Sequence, residues 1–432
     1  MSALQHTHRS LGSTIIAHHD APTSGKHICL VDYGNYPFLF DLAANWPAQL
    51  GRMSYLFGMS QVARNTAASG VGEVRSGGIV FGLRSEHAAP DHFLARHRAE
   101  ARAARAAVEQ LDRLNPDIVI GANNPLDIQA QIANWCRRRG RPFVFWLQDL
   151  RGLAMKSILK KRIPFLGAAV AAHYMSSEKR LLRRSAHVIS IAEEFLPHVL
   201  SSGLPANRVS VIPNWAPLSR IPLRPKDNAW SRATGLSRQR VLLYSGNLGM
   251  KHNPAILLAL CESLKSQPDT SVAVVAEGVG AAWLAEKAKE RGLGNLCLRP
   301  FVTTEELPDV LGTADACIAL LESDAAAYSV PSKIWTYFCA GKPLILSIPE
   351  DNQAALIVKK VGAGASNSPT DERRFVANCL DMLAKTPDER AAIGARGRAY
   401  AESNFNMESI VERVARCLNL ALGSEKASPC AS

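Results

Sequence analysis

A glycine-bearing turn in the second half of the chain has the residue types that bind an anion. It lies in YSGNLGMKHNP (244–254), between an apolar run and a segment that reads as a helix. Gly246 and Gly249 would let the backbone pass close to a phosphate, and Lys251 would add a compensating charge. Taken alone the turn is ambiguous, because many strand-to-helix turns carry glycine for steric reasons only.

Two further turns follow the same plan. In VPSKIWTYFCAGKPLIL (330–346), Ser332 would cap a helix and Lys333 would stand in its first turn. A lysine at that position opposes the helix dipole unless an anion lies nearby, which favours a phosphate site. In VVAEGVGAAWL (274–284), Gly278 stands at the end of another apolar run.

The first half offers a candidate catalytic carboxylate. Asp149 ends the apolar run PFVFWLQD (142–149), so it would stand at the carboxyl end of a strand. There it could orient an acceptor hydroxyl or take its proton, although a helix-capping role explains the same residue equally well. Asp32 and Asn35, around the first turn, could border the acceptor cleft.

The excess of positive charge is confined to the first half. Residues 1–224 hold 27 Lys or Arg against 15 Asp or Glu, whereas residues 225–432 hold 23 of each. We expect this half to meet an anionic lipid surface, a pyrophosphate or nucleic acid, unless the charge serves solubility alone. Nucleic acid is disfavoured because the basic residues lack interleaved stacking aromatics.

One basic segment is a candidate membrane contact. The stretch 153–175 interleaves apolar residues with Lys156, Lys160, Lys161 and Arg162, and basic residues continue to position 184. This pattern suits a segment lying in a membrane interface. A helix packed on the sheet with a solvated basic face would give the same pattern.

Other features limit the class of protein. Nine cysteines are scattered singly without a CxxC pair, which indicates buried thiols in a reducing compartment and no metal cluster. The first 26 residues form a polar tail without a secretory core, so a cytoplasmic location is expected. No apolar run reaches the roughly 18 residues of a spanning helix.

The elements that must position these residues alternate between strand and helix, which predicts an α/β fold with parallel sheets. The Pro- and Arg-rich stretch 217–239 reads as a linker, and the alternation restarts after it. A long helical stretch, roughly 386–422, closes the sequence. The predicted organisation is a tail (1–26), a first domain (27–216), the linker (217–239), a second domain (240–405) and a final helix returning to the first domain (406–432).

Four motifs in order and spacing resemble the nucleotide-binding domain of the GT-B glycosyltransferases of family 4. They are YSGNLGMKH, AEGVG, LRPFVTTEELPDVLGTADACIALL and VPSKIWTYFCAGKPLIL, and they cover about 240–350. The branch that makes capsular, colanic-acid-like and O-antigen polysaccharides is most similar. FWLQDL, SAHVISIAEEF and VIPNW in the first half are less specific family positions.

The resemblance implies a GT-B fold, in which two Rossmann-like domains face each other across a cleft. It implies retaining transfer of a hexosyl group from a nucleoside diphosphate sugar, with a UDP-sugar favoured, to a polyprenyl-diphosphate-linked saccharide. The enzyme would work without a cofactor or metal, at the inner face of the plasma membrane. The rival hypotheses are a non-catalytic GT-B-like partner at the membrane and, less favoured, a nucleic-acid-binding protein.

The resemblance also assigns residues. It places the donor pyrophosphate at Gly246, Asn247, Gly249 and Lys251, near Gly278, the base at the backbone around Arg299 and Phe301, and the phosphate-binding helix start at Ser332 and Lys333. Many family members have Arg at the position of Asn247, and two Glu at the positions of Tyr328 and Thr336. The contacts to ribose and to the sugar hydroxyls are therefore unassigned, with Glu322 and Asp324 as candidates.

Overall fold

The computed structural model describes residues 23–58, 72–83, 93–162, 164–326 and 328–424. Within these ranges, side chains are not described for residues 72–73, 93–96, 158–162, 164–166, 251 and 424. Residues 1–22 of the predicted tail, and the side chains of Lys160, Lys161, Arg162 and Lys251, lie outside the description.

The first sheet is built on residues 27–211. Its strands are β1 (His27–Asp32), β2 (Arg52–Gly58), β3 (Gly72–Glu73), β4 (Ile79–Leu83), β5 (Ile118–Ala122), β6 (Phe143–Leu147), β7 (His187–Ser190) and β8 (Val209–Val211). They lie in the order β3-β4-β2-β1-β5-β6-β7-β8, and all pairs are parallel except the short edge pair β3–β4. Every residue of β1, β5 and β6 is buried, which is why these strands are continuous apolar runs instead of alternating ones.

Helices cover both faces of this sheet. They are α1 (Pro37–Ala44), α2 (Phe93–Leu114), α3 (Leu126–Arg139), α4 (Arg151–Arg162), α5 (Pro164–Arg184) and α6 (Leu196–Leu200). The predicted stop before Pro116 is where α2 ends, with Asn115 in the left-handed region at φ 42°. Helix α3 ends at Gly140, whose φ of 60° suits glycine.

The second sheet has six parallel strands. They are β9 (Arg240–Ser245), β10 (Thr270–Val275), β11 (Leu296–Arg299), β12 (Ala316–Leu320), β13 (Leu344–Ser347) and β14 (Gly364–Asn367), in the order β11-β10-β9-β12-β13-β14. Its helices are α7 (Ala229–Ala233), α8 (Pro254–Ser263), α9 (Val279–Glu290), α10 (Leu307–Thr313), α11 (Ser323–Ala326), α12 (Lys333–Cys339), α13 (Gln353–Val361) and α14 (Glu372–Ala384).

Both sheets are therefore doubly wound, as predicted. The strand order reverses between β1 and β5 in the first sheet and between β9 and β12 in the second. Open α/β sheets bind ligands at such switch points, outside the carboxyl ends of the strands. The switch points are consequently the places to look for function.

The closing helical stretch consists of two helices. Helix α15 (Pro387–Asn404) packs against α12, and α16 (Met407–Ser424) packs against β6, β7 and α1 of the first sheet. The break at residues 405–406 lets the chain cross between the two sheets. In α16, Leu418 is fully buried whereas Leu420 is 48% exposed.

A buried carboxylate ties three segments of the second half together. Asp315, at the start of β12, bonds to Lys226, to Arg390 of α15 at 3.0 Å and to the Val241 N–H at 2.7 Å. Because the Asp315 and Arg390 side chains are each only 9% exposed, this pair is shielded from solvent.

Within the described ranges, seven of the eight free cysteines are buried, as predicted, and Cys297 is half-buried. Among the described helices, none is long and apolar enough to cross a membrane.

Candidate functional site

The first predicted phosphate turn lies at the switch point of the second sheet. Gly246 follows β9 with φ 123°, a backbone conformation that favours glycine. A Cβ atom at Gly246 would lie 3.2 Å from Nζ of Lys333. The structure therefore brings together two predicted donor residues that are 87 positions apart in the sequence.

Helix α12 is fixed to this turn by one of its faces. Lys333 and Tyr337 are four residues apart and so project from the same side of the helix. The Lys333 Nζ lies 3.6 Å from the centroid of the Tyr244 ring. The Tyr337 hydroxyl accepts a hydrogen bond from the Ser245 N–H at 3.0 Å and donates to the Ser245 carbonyl at 3.1 Å.

Tyr244 and Tyr337 were not identified from the sequence. The spacing of four between Lys333 and Tyr337 was the available signal, but it could not show which surface that face of α12 meets.

The glycines of the next loop are needed for close packing. A Cβ atom at Gly278 would lie 2.6 Å from Oδ1 of Asn247, and one at Gly280 would lie 2.6 Å from the Leu248 carbonyl oxygen. The Gly280 N–H donates to that carbonyl at 2.9 Å. The loops after β9 and β10 are thus in contact, and the steric explanation for glycine holds at positions 278 and 280.

The remaining donor residues differ in their surroundings. Gly249 is half-buried, and its N–H donates to Nδ1 of His252 at 3.1 Å. Lys251 belongs to a 3-10 turn, Met250–His252, at the same loop. Ser332 is exposed and makes no side-chain capping bond, so the predicted capping role of its hydroxyl is wrong. Its backbone is already helical at φ −61° and ψ −21°, which turns the hydroxyl away from the first helical N–H groups.

Arg299 and Phe301 lie at the end of the edge strand β11, two strands from β9. The Arg299 carbonyl is used within the sheet, where it accepts from the Ala276 N–H at 3.0 Å. Its exposed side chain lines a groove with Thr234 and Leu296. The predicted contact of this backbone with a base remains a prediction.

At the first switch point, Asp32 is buried beneath the turn that follows β1. It accepts hydrogen bonds from the Gly34 N–H at 3.0 Å, the Tyr36 N–H at 2.6 Å and the Tyr55 hydroxyl at 2.8 Å. Burial raises the pKa of Asp32 to about 7, and these hydrogen bonds oppose the rise. Its side chain therefore stabilises the turn through hydrogen bonds and does not reach the cleft. Asn35 is also buried, in the left-handed region at φ 50°.

Two asparagines, Asn123 and Asn124, follow β5 at the same switch point. The Asn124 side chain accepts from the Tyr33 N–H at 2.8 Å and donates to the Val31 carbonyl at 3.1 Å. Asn123 has φ 48° and accepts a hydrogen bond from Arg151 at 3.1 Å. Neither asparagine was identified from the sequence, although Asn-Asn-Pro after an apolar run is a turn signal.

Asp149 lies one strand further along, after β6. It is half-buried, and its carbonyl accepts from the Arg151 N–H at 3.0 Å. Tyr36 is 40% exposed, but neighbouring protein atoms desolvate its hydroxyl. This desolvation, together with the nearby Asp149 and Asp32 carboxylates, raises the pKa of Tyr36 to about 12. Tyr36 and Asp149 therefore share one electrostatic environment.

The two switch points are joined across the cleft. The Leu150 N–H donates to the Tyr328 carbonyl at 3.1 Å, and the Gln353 N–H bonds to the Glu194 carboxylate. Tyr328 precedes Lys333 by five residues, and Leu150 directly follows Asp149. The candidate catalytic carboxylate and the candidate phosphate residues consequently face one cleft.

The two positions at which many family members carry Glu are half-buried here, as Tyr328 and Thr336. Glu322 and Asp324 lie just after β12, at the same switch point as Lys333. Their assignment to ribose or sugar contacts remains a prediction.

One group of described side chains has ligand atoms close enough for a metal. His97, Glu100 and Asp127 place one such atom each within 4.8 Å of one another, and His97 Nδ1 lies 3.5 Å from the Asp127 carboxylate. The His97 side chain is 54% exposed, and a direct contact between its imidazole and the Asp127 carboxylate needs no metal. The predicted absence of a metal remains a prediction.

The candidate membrane segment forms a helical hairpin. A Cβ atom at Gly152 would lie 2.8 Å from the Glu178 carboxylate and 3.1 Å from the Met175 sulfur, so the start of α4 packs on the middle of α5. Because α4 starts at the carboxyl end of β6, the rest of the hairpin projects from the cleft edge of the sheet. Lys156 is exposed on it.

Two protein families match this chain. Residues 41–215 match the family described as "Glycosyl transferase 4-like domain", and residues 227–400 match "Glycosyl transferases group 1". Together the matches cover more than three quarters of the chain, and they support the enzyme hypothesis over the non-catalytic one.

Individual relatives agree with these matches. The Escherichia coli (strain K12) protein WcaI, named as a glycosyl transferase of colanic acid biosynthesis, is 23% identical over 310 residues, covering 70% of this chain and 73% of its own. The Anabaena protein HepE, solved in complex with UDP-glucose, is 16% identical with a TM-score of 0.63, covering 91% of this chain and 99% of its own. Sucrose-phosphate synthase from Thermosynechococcus elongatus is 16% identical with a TM-score of 0.69, covering 92% and 100%.

Proposed function

Because the chain is a GT-B glycosyltransferase, we propose that it transfers a hexosyl group from a UDP-sugar to a lipid-linked saccharide, with retention of anomeric configuration. The acceptor is a saccharide on a polyprenyl diphosphate, and the product enters a cell-surface polysaccharide. This extends the resemblance to the polysaccharide branch, and the name of WcaI is consistent with it.

The observation that carries the proposal is the approach of Lys333 to the Gly246 turn. A lysine ammonium beside a glycine turn at the switch point suits a diphosphate, since the backbone can come close and the charge is compensated. The UDP-glucose complex of HepE, which has a similar fold, supports a uridine nucleotide as the donor.

In the proposed reaction, an acceptor hydroxyl oxygen bonds to the anomeric carbon of the donor sugar while the bond from that carbon to the UDP β-phosphate oxygen breaks. The hydroxyl proton passes to the departing phosphate on the same face of the sugar, so a strong protein base is not required. Negative charge develops on the diphosphate, and Lys333 lowers the barrier where that charge appears. Before transfer, Asp149 accepts the hydrogen bond of the acceptor hydroxyl and so orients its oxygen; the hydroxyl then turns its hydrogen to the departing phosphate as the new bond forms.

We place the enzyme at a membrane surface through the α4–α5 hairpin. The hairpin projects beside the cleft and carries the exposed Lys156, with further basic residues in the sequence up to position 162. A basic and apolar projection at the mouth of the cleft would hold a lipid-linked acceptor near Asp149.

The donor is tested by measuring thermal unfolding of the full chain with UDP, GDP, ADP and TDP. A ligand that binds only the folded state raises the unfolding temperature, so we expect a rise with UDP. A rise with another nucleotide alone would refute the UDP assignment, and no rise with any would refute the donor site.

The acceptor is tested separately. The enzyme is incubated with labelled UDP-sugar and either a polyprenyl-diphosphate saccharide or the same saccharide without lipid. Transfer to the lipid-linked form alone supports the proposal. Equal transfer to both forms would refute the requirement for lipid.

A further inference from the structure

A groove lined by five arginines lies in the first domain, away from the cleft. It has a volume of about 610 Å³ and lies between the C-terminal parts of α3 and α5. Its arginines are Arg137, Arg141, Arg180, Arg184 and Arg208, and its lining contains no carboxylate. Pro142 and Phe143, which start β6, are also part of the lining.

The groove is distinct from the donor and acceptor sites. It lies at the amino ends of β6 and β7, whereas the candidate site lies at the carboxyl ends. It is also separate from the α4–α5 hairpin tip, because the 21 residues from Pro164 to Arg184 span about 30 Å of helix. The basic stretch that runs through the sequence to position 184 therefore contributes to two separate surfaces.

Helix dipoles account for only part of this cluster. Arg137 and Arg184 stand in the last turns of α3 and α5, where a cation is favourable. Arg141, Arg180 and Arg208 stand outside those turns, and their approach to the others adds repulsion. Only Arg141 has a partner carboxylate, Asp117 at 3.2 Å; within the described ranges the other four arginines form no ion pair.

We propose that this groove binds a compact ligand that carries two or more phosphate groups. Each guanidinium offers a planar pair of donors that fits two phosphate oxygens, and all five cations here are arginines. The concave shape suits a soluble oligophosphate or the headgroup of an anionic lipid better than the flat surface of a bilayer. Ser177, Ser185 and Asn134 add hydrogen-bonding groups to the walls.

The first test is calorimetric titration of the full chain with inorganic triphosphate, with saturating UDP present. The variant Arg137→Glu/Arg180→Glu reverses two charges that line the groove. Its control, Arg138→Glu/Arg183→Glu, makes the same change at exposed positions on the same helices outside the groove. We expect affinity to fall at least tenfold in the groove variant and less than threefold in the control.

The variant Ala133→Phe keeps the charge but places a large side chain in the groove, and it should also weaken binding. Vesicles containing cardiolipin, whose headgroup carries two phosphate groups, provide the second arm, measured by co-sedimentation with the same variants. Loss of triphosphate binding alone identifies a soluble ligand, and loss of vesicle binding alone identifies a lipid headgroup. Equal losses in the groove variant and its control, or no loss in either arm, would overturn the proposal.

Discussion

Replacing Lys333 by methionine should weaken donor binding while leaving the fold intact. Methionine has a similar length and keeps the apolar contact with Tyr244, whereas the charge and its interaction with the ring are lost. A hydrogen bond to a charged group contributes about 1.5–3 kcal/mol. The dissociation constant for UDP should therefore rise about 10- to 150-fold, because each 1.4 kcal/mol is roughly a factor of ten.

Isothermal titration with UDP measures this change. The control is Lys265→Met, in the same domain, where the lysine is exposed and donates to the Arg291 carbonyl at 3.2 Å. Loss of the interaction of Lys333 with Tyr244 should lower the free energy of unfolding by about 1 kcal/mol. A Lys333→Met protein that is folded and binds UDP as tightly as the control would refute the assignment of Lys333 to the diphosphate.

Three further predictions concern stability. Asp315→Asn leaves the buried Arg390 and the half-buried Lys226 without their carboxylate, and it should lower the free energy of unfolding by about 3–5 kcal/mol. Asp227→Asn, which removes an exposed ion pair, should lower it much less. Urea unfolding measures both losses, and similar values would contradict the role of burial. For Asp32, the folded pKa of about 7 lies above the ordinary value of 3.8, so its stabilising contribution is present below pH 4 and is lost as the pH rises through 7. Between pH 4 and pH 8, the free energy of unfolding of Asp32→Asn should therefore rise by up to about 4 kcal/mol relative to that of the wild type. Urea titrations at both pH values measure this difference, and a difference that does not change with pH would argue against the raised pKa. Leu418→Ala should lower the free energy of unfolding by about 2–5 kcal/mol, and the exposed Leu420→Ala should lower it much less. Equal decreases in the unfolding temperature of the two variants would show that α16 does not pack on the first sheet as described.

The strands of both sheets could be predicted because parallel strands covered on both faces must be apolar throughout. HICLVD, IVIGA and FVFWL are visible as such without any tertiary information. The boundary before the final helix, at residue 406, was part of the predicted organisation. The packing of this helix, α16, on β6, β7 and α1 does not follow from its periodicity, because these contacts join segments that are distant in the sequence.

In the candidate site, the sequence identified residues one turn at a time. Gly246 and Lys333 were each recognisable from a local signal, a glycine after a strand and a lysine misplaced in a helix dipole. That they lie against each other depends on strand order, since β9 and β12 are neighbours only in the folded sheet. The Ser332 cap was wrong for a related reason, because the backbone angles that place its hydroxyl are set by the packing of α12.

The sequence by itself determined the alternation of elements, the glycine turns and the excess of positive charge in the first half. These are local properties, set by side-chain periodicity and by the conformational freedom of single residues. The tertiary structure decided which turns share a cleft, through the Leu150–Tyr328 hydrogen bond, and where the charge accumulates, through the arginine groove. Both join residues distant in sequence, and such contacts depend on how sheets and helices pack, which local spacing does not specify.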